Sequence, residues 1–237
     1  FLEAGIHVLI EKPITKTLEE ADELISLAEK KDLIIQVGHI ERFNSAIRAI
    51  EPLISKPKFI ECQRLGSIKK KKRIKDVGVV LDLMIHDIDI ILSLANSKVK
   101  KVDAAGVNVI ADEEDVCNAR IFFENGCIAN VTASRLALKT ERKVRVFSRQ
   151  AYLSLDFFRK EGIAIQADKN IDLVKWIREH QEKQDFDFST VNWPDLLHIE
   201  QLDIDGKEPI RLEQEAFLQA VTDRERMPEV SAQEGLA

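Results

Sequence analysis

The sequence predicts an α/β segment followed by an α+β domain: one parallel β-α-β unit, then a large, open, mostly antiparallel sheet. Three observations carry this. Two short apolar runs, residues 6–11 and 33–38, flank an amphipathic stretch of helical period, the pattern of parallel strands joined by a helix. From residue 98 onward the texture changes to alternating strands separated by turns, among them the hairpin signal Asn125-Gly126. Between the two lies DVGVVLDLMIHDIDIILSLA (76–95), an apolar run with acids and a histidine set into it.

The elements follow in order. The chain opens on FLEAG, read as the last turn of a helix with Gly5 as its C-cap. Strand 6–11 comes next. Thr17 then caps a helix over 18–31 that keeps Leu18, Ala21, Leu24, Ile25 and Ala28 on one face. Strand 33–38 completes the parallel unit. A second helix near 44–54 stops before Pro57, and strand 58–66 leads into the basic loop 69–75 and the apolar helix. Strands are predicted over 98–110, 115–124, 127–135, 141–149, 151–158 and 162–167. Residues 168–195 are polar with scattered aromatics and no clear period. A strand over 196–204 and a helix over 211–222 come last, and Ser231 with Glu234 is spaced as a capping box. The domain boundary is placed after residue 43, giving 1–43 and 44–237. A chain that opens inside one helix and stops at the start of another reads as a fragment at both termini.

A net charge of −6 and a pI of about 5.5 argue against a nucleic-acid partner. No apolar run approaches the roughly 20 residues of a membrane span, and no signal peptide is visible, so a cytoplasmic location without membrane insertion is expected. Cys62, Cys117 and Cys127 are an odd count without C-x-x-C spacing; they read as small apolar residues in a reducing compartment.

The apolar helix is the first candidate for a site. Asp82, His86 and Asp89 stand at i, i+4 and i+7 and form one polar stripe on it. A buried carboxylate needs a partner, water or a ligand, so the stripe is read as an active-site wall. Asp89 would orient His86, Asp82 would set its charge or contact a substrate hydroxyl, and a histidine near neutrality suits a hydroxyl proton. The plainer alternative is a satisfied polar cluster in the core. Asp87 points off the stripe and is assigned to the surface or an interface. No metal site is expected, because no second histidine is suitably spaced.

Glu11-Lys12-Pro13 ends the first strand, at the edge where open α/β sheets bind ligands, although an ordinary surface lysine fits equally well. VGHIERFN (37–44) follows the second strand. His39, Glu41, Arg42 and Asn44 there could grip a sugar or a phosphate; for Asn44 a helix cap is the stronger reading. The run Lys69–Arg73 is a solvated basic loop from which one cation, Arg73 among them, could close over an anionic ligand. Trp176 and Trp193 read as packing residues.

Together EKP (11–13), VGHIERFN (37–44), GVVLDLMIHDID (78–89) and PEVSAQEGL (228–236) resemble, in order and spacing, the glucose-fructose oxidoreductase/inositol dehydrogenase/MocA family of sugar dehydrogenases. The resemblance implies the C-terminal part of a Rossmann domain over 1–43, a substrate-binding and oligomerisation domain over 44–237, and NAD or NADP as cofactor. It implies Glu11, Lys12 and Pro13 at the cofactor, Lys12, Asp82 and His86 as catalytic groups, and His39, Arg42, Asn44, Arg73 and Asp82 at the substrate. His86 would be the base that takes the hydroxyl proton. HIERFN and DLMIHDIDIIL are most similar to nucleotide-sugar 3-dehydrogenases acting at C3 of UDP-N-acetylglucosamine. The alternatives are a dehydrogenase of another sugar or cyclitol, or a regulator of the same fold that binds without turnover. A homodimer or homotetramer formed through the open sheet is also implied. One departure stands out: no G-x-G-x-x-G occurs, so the phosphate-binding half of the Rossmann unit is absent and weak dinucleotide binding is expected of this chain alone.

Overall fold

A computed structural model of the chain describes residues 1–67, 77–168, 171–181, 187–204, 206–223 and 225–236. They form two compact units, Phe1–Ile47 with the segment from Gly206 onward, and Arg48–Asp205. The division differs from the boundary expected after residue 43, because the C-terminal segment returns to the first unit.

In the first unit, strands β1 (Val8–Glu11) and β2 (Ile35–Gly38) pair in parallel, with Glu11 opposite Gly38, and helix α1 (Leu18–Lys30) connects them. A capping box starts α1: the Thr17 hydroxyl accepts from the Glu20 N–H at 3.3 Å, and the Glu20 carboxylate accepts from the Thr17 N–H at 3.3 Å. Ala21 and Ala28 pack with Leu2, Ile14, Ile35, Val37 and Phe43. Leu18, expected on this face, is 65% exposed. The expected C-cap is present, with Gly5 at φ 76° ending a short 3₁₀ turn.

Helix α2 (Ser45–Ile50) follows β2, and helices α5 (Pro209–Thr222) and α6 (Ala232–Leu236) come back to the same unit. Pro209 in the first turn of α5 begins that helix two residues ahead of the expected 211. The return is pinned by the Val37 N–H donating to the Val230 carbonyl at 3.1 Å and by a bridge between Gln36 and Ser231. The Ser231/Glu234 box then starts α6, with bonds of 2.9 and 3.2 Å.

The second unit is built on eight strands: β3 (Phe59–Ser67), β4 (Val99–Val107), β5 (Val116–Phe123), β6 (Ile128–Ala137), β7 (Glu141–Phe147), β8 (Ala151–Asp156), β9 (Glu161–Ala167) and β10 (Leu197–Gln201). Their order is β10-β9-β8-β7-β3-β6-β5-β4; β3 runs parallel to β6, and the other described pairings are antiparallel. Alternate residues Ile60, Cys62 and Arg64 on β3, Val131 and Ala133 on β6, and Val144 and Val146 on β7 are buried. Helix α3 (Ile85–Ala95) packs on β3 and β6, burying Ile90, Ile91 and Leu94.

The alternate residues of the sheet form an in-register apolar row, Ile199, Ile165, Tyr152, Phe147, Phe59, Ile128 and Phe122. Its rings meet at 5.9 Å (Phe59–Phe147) and 4.9 Å (Phe147–Tyr152). The stretch expected to lack regular structure contains helix α4 (Leu173–Gln181), on which Trp176 stacks on His180 with ring centroids 4.0 Å apart. All three cysteines are free and buried. No helix among the described residues is long and apolar enough to cross a membrane.

Candidate active site

The expected apolar helix is not one continuous α-helix. It starts with a π-helical turn, Val80–Met84, closed by the Ile85 N–H donating to the Val80 carbonyl, and only then becomes α3. A π turn holds one residue more than an α turn, so groups before it are rotated by roughly 100° relative to an unbroken helix. Asp82 lies inside this turn and His86 just after it; both are half-buried, and Asp89 is buried.

Asp87 corrects the sequence reading. It is 2% exposed rather than at the surface, and it makes a two-pronged ion pair with Arg64 of β3. Arg64 Nε reaches Oδ2 at 2.8 Å and Nη2 reaches Oδ1 at 2.8 Å. An aspartate on the sheet-facing side is tolerable only because an arginine rises from the sheet to meet it. Burial and then the Asp87 charge push the neighbouring Cys62 thiol well up, with Arg64 opposing, which leaves it a packing residue.

The N-terminal end of the turn is held from the loop between β4 and β5. The Val79 N–H donates to the Glu114 carbonyl at 2.9 Å, and the Val80 N–H donates to Glu114 Oε1 at 2.9 Å. Gly78 makes room for that carboxylate: a Cβ there would stand 2.1 Å from Oε1. Arg135 Nη2 donates to the Val77 carbonyl at 2.6 Å and the Glu114 carbonyl at 3.0 Å. Its Nε lies 3.4 Å from Asp115 Oδ1. Asp115 Oδ2 in turn accepts from the N–H groups of Val109, Ile110 and Ala111 at 2.8, 2.7 and 3.1 Å. Burial raises the Asp115 carboxyl, but these donors and Arg135 outweigh it and hold it below its ordinary value.

In the first unit Glu11 is exposed and Lys12 half-buried at the carboxyl end of β1, and the Lys12–Pro13 peptide is cis. Gly38 accommodates the Glu11 side chain, since a Cβ there would lie 3.1 Å from Oε2. His39 and Glu41 are buried. Glu41 accepts from Asn44 Nδ2 at 3.0 Å, and Asn44 Oδ1 accepts from the Ala46 N–H at 3.0 Å, the helix cap expected of it. Arg42 pairs with Glu234 at 3.3 Å.

Glu213 of α5 was not singled out by the sequence. It is 1% exposed, and Gln36 Nε2 donates to its backbone carbonyl at 3.0 Å. Burial, and then the Glu11 charge, push its carboxyl up from 4.5 to about 7. A groove of about 670 Å³ runs beside β1, lined by Phe1, Leu2, Val8, Ile10, Leu24 and Leu27 among others.

Of the expected site residues, Glu11, Lys12, Pro13, His39, Arg42 and Asn44 belong to the first unit, and Asp82, His86 and Asp89 to the second. Lys69–Arg73, Arg73 included, lie outside the described residues. Among the described residues no group of three His, Cys, Asp or Glu could hold a metal ion.

The oxidoreductase family with an NAD-binding Rossmann fold matches residues 1–39, and the GFO/IDH/MocA C-terminal domain matches residues 55–154. UDP-N-acetylglucosamine 3-dehydrogenase of Acidithiobacillus ferrooxidans is 35% identical over 198 residues, covering 78% of this chain and 63% of that protein. Myo-inositol 2-dehydrogenase of Thermotoga maritima is 26% identical over 174 residues, covering 67% of this chain and 52% of that protein. The chain thus spans between about half and two thirds of the length of these curated relatives. A solved structure of the Acidithiobacillus enzyme aligns with a TM-score of 0.81 at 30% identity, covering 99% of this chain and 68% of that one. An oxidoreductase domain protein from Kribbella flavida aligns at 0.77 with 17% identity, a likeness of fold alone. The chain belongs to the GFO/IDH/MocA family of NAD-binding oxidoreductases.

Proposed function

We propose that this chain carries the substrate-side machinery of an NAD(P)-dependent sugar dehydrogenase acting at a secondary hydroxyl, in particular C3 of a nucleotide sugar such as UDP-N-acetylglucosamine. The observation that carries the reading is the Asp82/His86 segment, an ionisable pair flanked by the buried Asp115–Arg135 pair on one side and the buried Arg64–Asp87 pair on the other. The similarity to a UDP-N-acetylglucosamine 3-dehydrogenase supports the substrate class.

The β1-α1-β2 unit fits one half of a dinucleotide site, with Glu11, Lys12 and Pro13 at the carboxyl end of a parallel strand. The glycine-rich phosphate turn is not in this sequence. NAD(P)⁺, when bound, supplies the hydride acceptor. In this reading His86 takes the proton of the reacting hydroxyl, and Asp89 orients the imidazole. Asp82 binds the substrate, and the Lys12 ammonium stabilises negative charge developing on the oxygen. Arg42 would exchange Glu234 for a substrate anion, while Asn44 is occupied as a cap. Retention of Lys12, Asp82 and His86 favours turnover over a regulator that only binds. Self-association through the open sheet face belongs to the same reading, and the aligned row from Ile199 to Phe122 supports it.

The test is reduction of NAD⁺ or NADP⁺ with a panel of nucleotide sugars, free sugars and cyclitols. Both this chain and the chain joined to an upstream nucleotide-binding half are assayed. Turnover by the joined protein with UDP-N-acetylglucosamine, yielding a 3-keto product by mass spectrometry, is expected. Binding of dinucleotide and sugar nucleotide without turnover would overturn the enzymatic reading in favour of the regulator.

A further inference from the structure

The π turn at Val80–Met84 is the one described helical segment whose backbone departs from the α or 3₁₀ pattern. Such turns are rare, and they persist where the surroundings hold them. Here the surroundings are specific. Upstream, Glu114 takes the Val79 and Val80 N–H groups, and Arg135 takes the Val77 carbonyl, itself fixed by Asp115. Downstream, Arg64 grips Asp87 with two bonds of 2.8 Å, one residue past His86. The anchors differ in origin: the upstream one comes from the β4–β5 loop and β6, the downstream one from β3.

We propose that these two anchors act as a pair of positioning devices, which hold the π turn between them and thereby set where Asp82 stands relative to His86. A continuous α-helix through 80–87 would need one residue fewer between the same two anchors, or would rotate one of them off its partner by about 100°. With both anchored, the extra residue stays in the turn. Arg64 and Glu114 are therefore positioning residues, and their effect on catalysis runs through the turn. The inference rests on the reading of Asp82 and His86 as site groups, and it deepens that reading by assigning what places them.

Two variants of the catalytically competent protein test it. Arg64→Met with Asp87→Leu removes both charges together, an exchange that buried ion pairs commonly survive. Deletion of Leu81, a half-exposed residue of the turn, removes the extra residue and leaves every anchoring side chain in place. The readouts are a crystal structure of segment 77–90, the thermal midpoint, and kcat and KM for the sugar nucleotide.

In both variants the segment is expected to become α-helical, with the Ile85 N–H leaving the Val80 carbonyl. The midpoint should stay within a few degrees, and kcat should fall roughly 10- to 100-fold with a smaller change in KM. A folded variant whose turn has become α-helical while kcat stays within twofold of the parent overturns the proposal. So does a Met/Leu variant in which the π turn persists unchanged. Should the double variant fail to fold, the deletion decides alone. Full activity of His86→Asn would instead sink the underlying assignment of the base, a separate result from either structure.

Discussion

Glu114 and Gly78 should behave as one unit in stability measurements. The Glu114 carboxylate accepts from the Val80 N–H at 2.9 Å at the start of the site helix. Losing a side-chain cap of this kind costs about 0.5–2 kcal/mol, and a carboxylate at the positive end of a helix adds about 0.3–1 kcal/mol. Glu114→Ala is therefore expected to destabilise the second unit by about 1–2 kcal/mol. Gly78→Ala reaches the same loss by another route. Its Cβ would stand 2.1–2.4 Å from the carboxylate atoms, and Gly78 is not among the glycines at positive φ, so the side chain of Glu114 moves and the backbone does not. The cost is again about 1–2 kcal/mol, that of the displaced cap. In the double variant there is nothing left to displace. Its destabilisation should match either single variant instead of summing to about 2–4 kcal/mol, a coupling of about 1–2 kcal/mol. Urea unfolding at matched m-values measures it. Additive costs, or a harmless Gly78→Ala, would refute the argument that this glycine exists to seat the carboxylate.

Two pH predictions follow from buried carboxyls of opposite behaviour. Glu213 is raised from 4.5 to about 7, so the native state holds a proton that the unfolded chain has released. Its contribution is complete below pH 4.5 and is lost as pH rises through about 7. Glu213→Gln should flatten that decline and be more stable than the parent at pH 8, by at most about 3 kcal/mol; an unchanged pH slope would show that the carboxyl does not titrate there. Asp115 has the reverse sign. Its folded value is depressed, so its contribution is present above the ordinary carboxylate range and is lost as acid protonates the native state. Asp115→Asn should be less stable at neutral pH and lose less on acidification below about pH 4 than the parent does, as followed by circular dichroism.

Features set by near neighbours in the chain were legible from sequence. The Gly5 and Asn44 caps and the Ser231/Glu234 box each involve groups within a few residues, and each is present. The parallel unit and the antiparallel run were readable from hydrophobic period. What failed to show depended on distant partners. Asp87 lies on the wrong side of a helical wheel until Arg64, 23 residues earlier in sequence, rises from β3 to pair with it. The wheel also assumed a constant period, which the π turn breaks. The apolar residues Val107, Val109 and Ile110 extend the strand pattern to 110, yet β4 ends at Val107 because the N–H groups of Val109 and Ile110 go to Asp115 and leave the ladder. The return of α5 and α6 to the first unit depends on Val37 and Gln36 meeting Val230 and Ser231, pairings that no local pattern encodes. Helix α4 was hidden by a short, charged sequence whose amphipathic face spans only nine residues.

His86 is the proposed proton acceptor. The most direct measurement is kcat of His86→Asn in the catalytically competent protein, with dinucleotide and sugar binding verified by calorimetry. A fall of about 10²- to 10⁴-fold with binding retained is the expected result for loss of a general base. A kcat within a few-fold of the parent would contradict the claim and turn attention to Lys12 and Asp82.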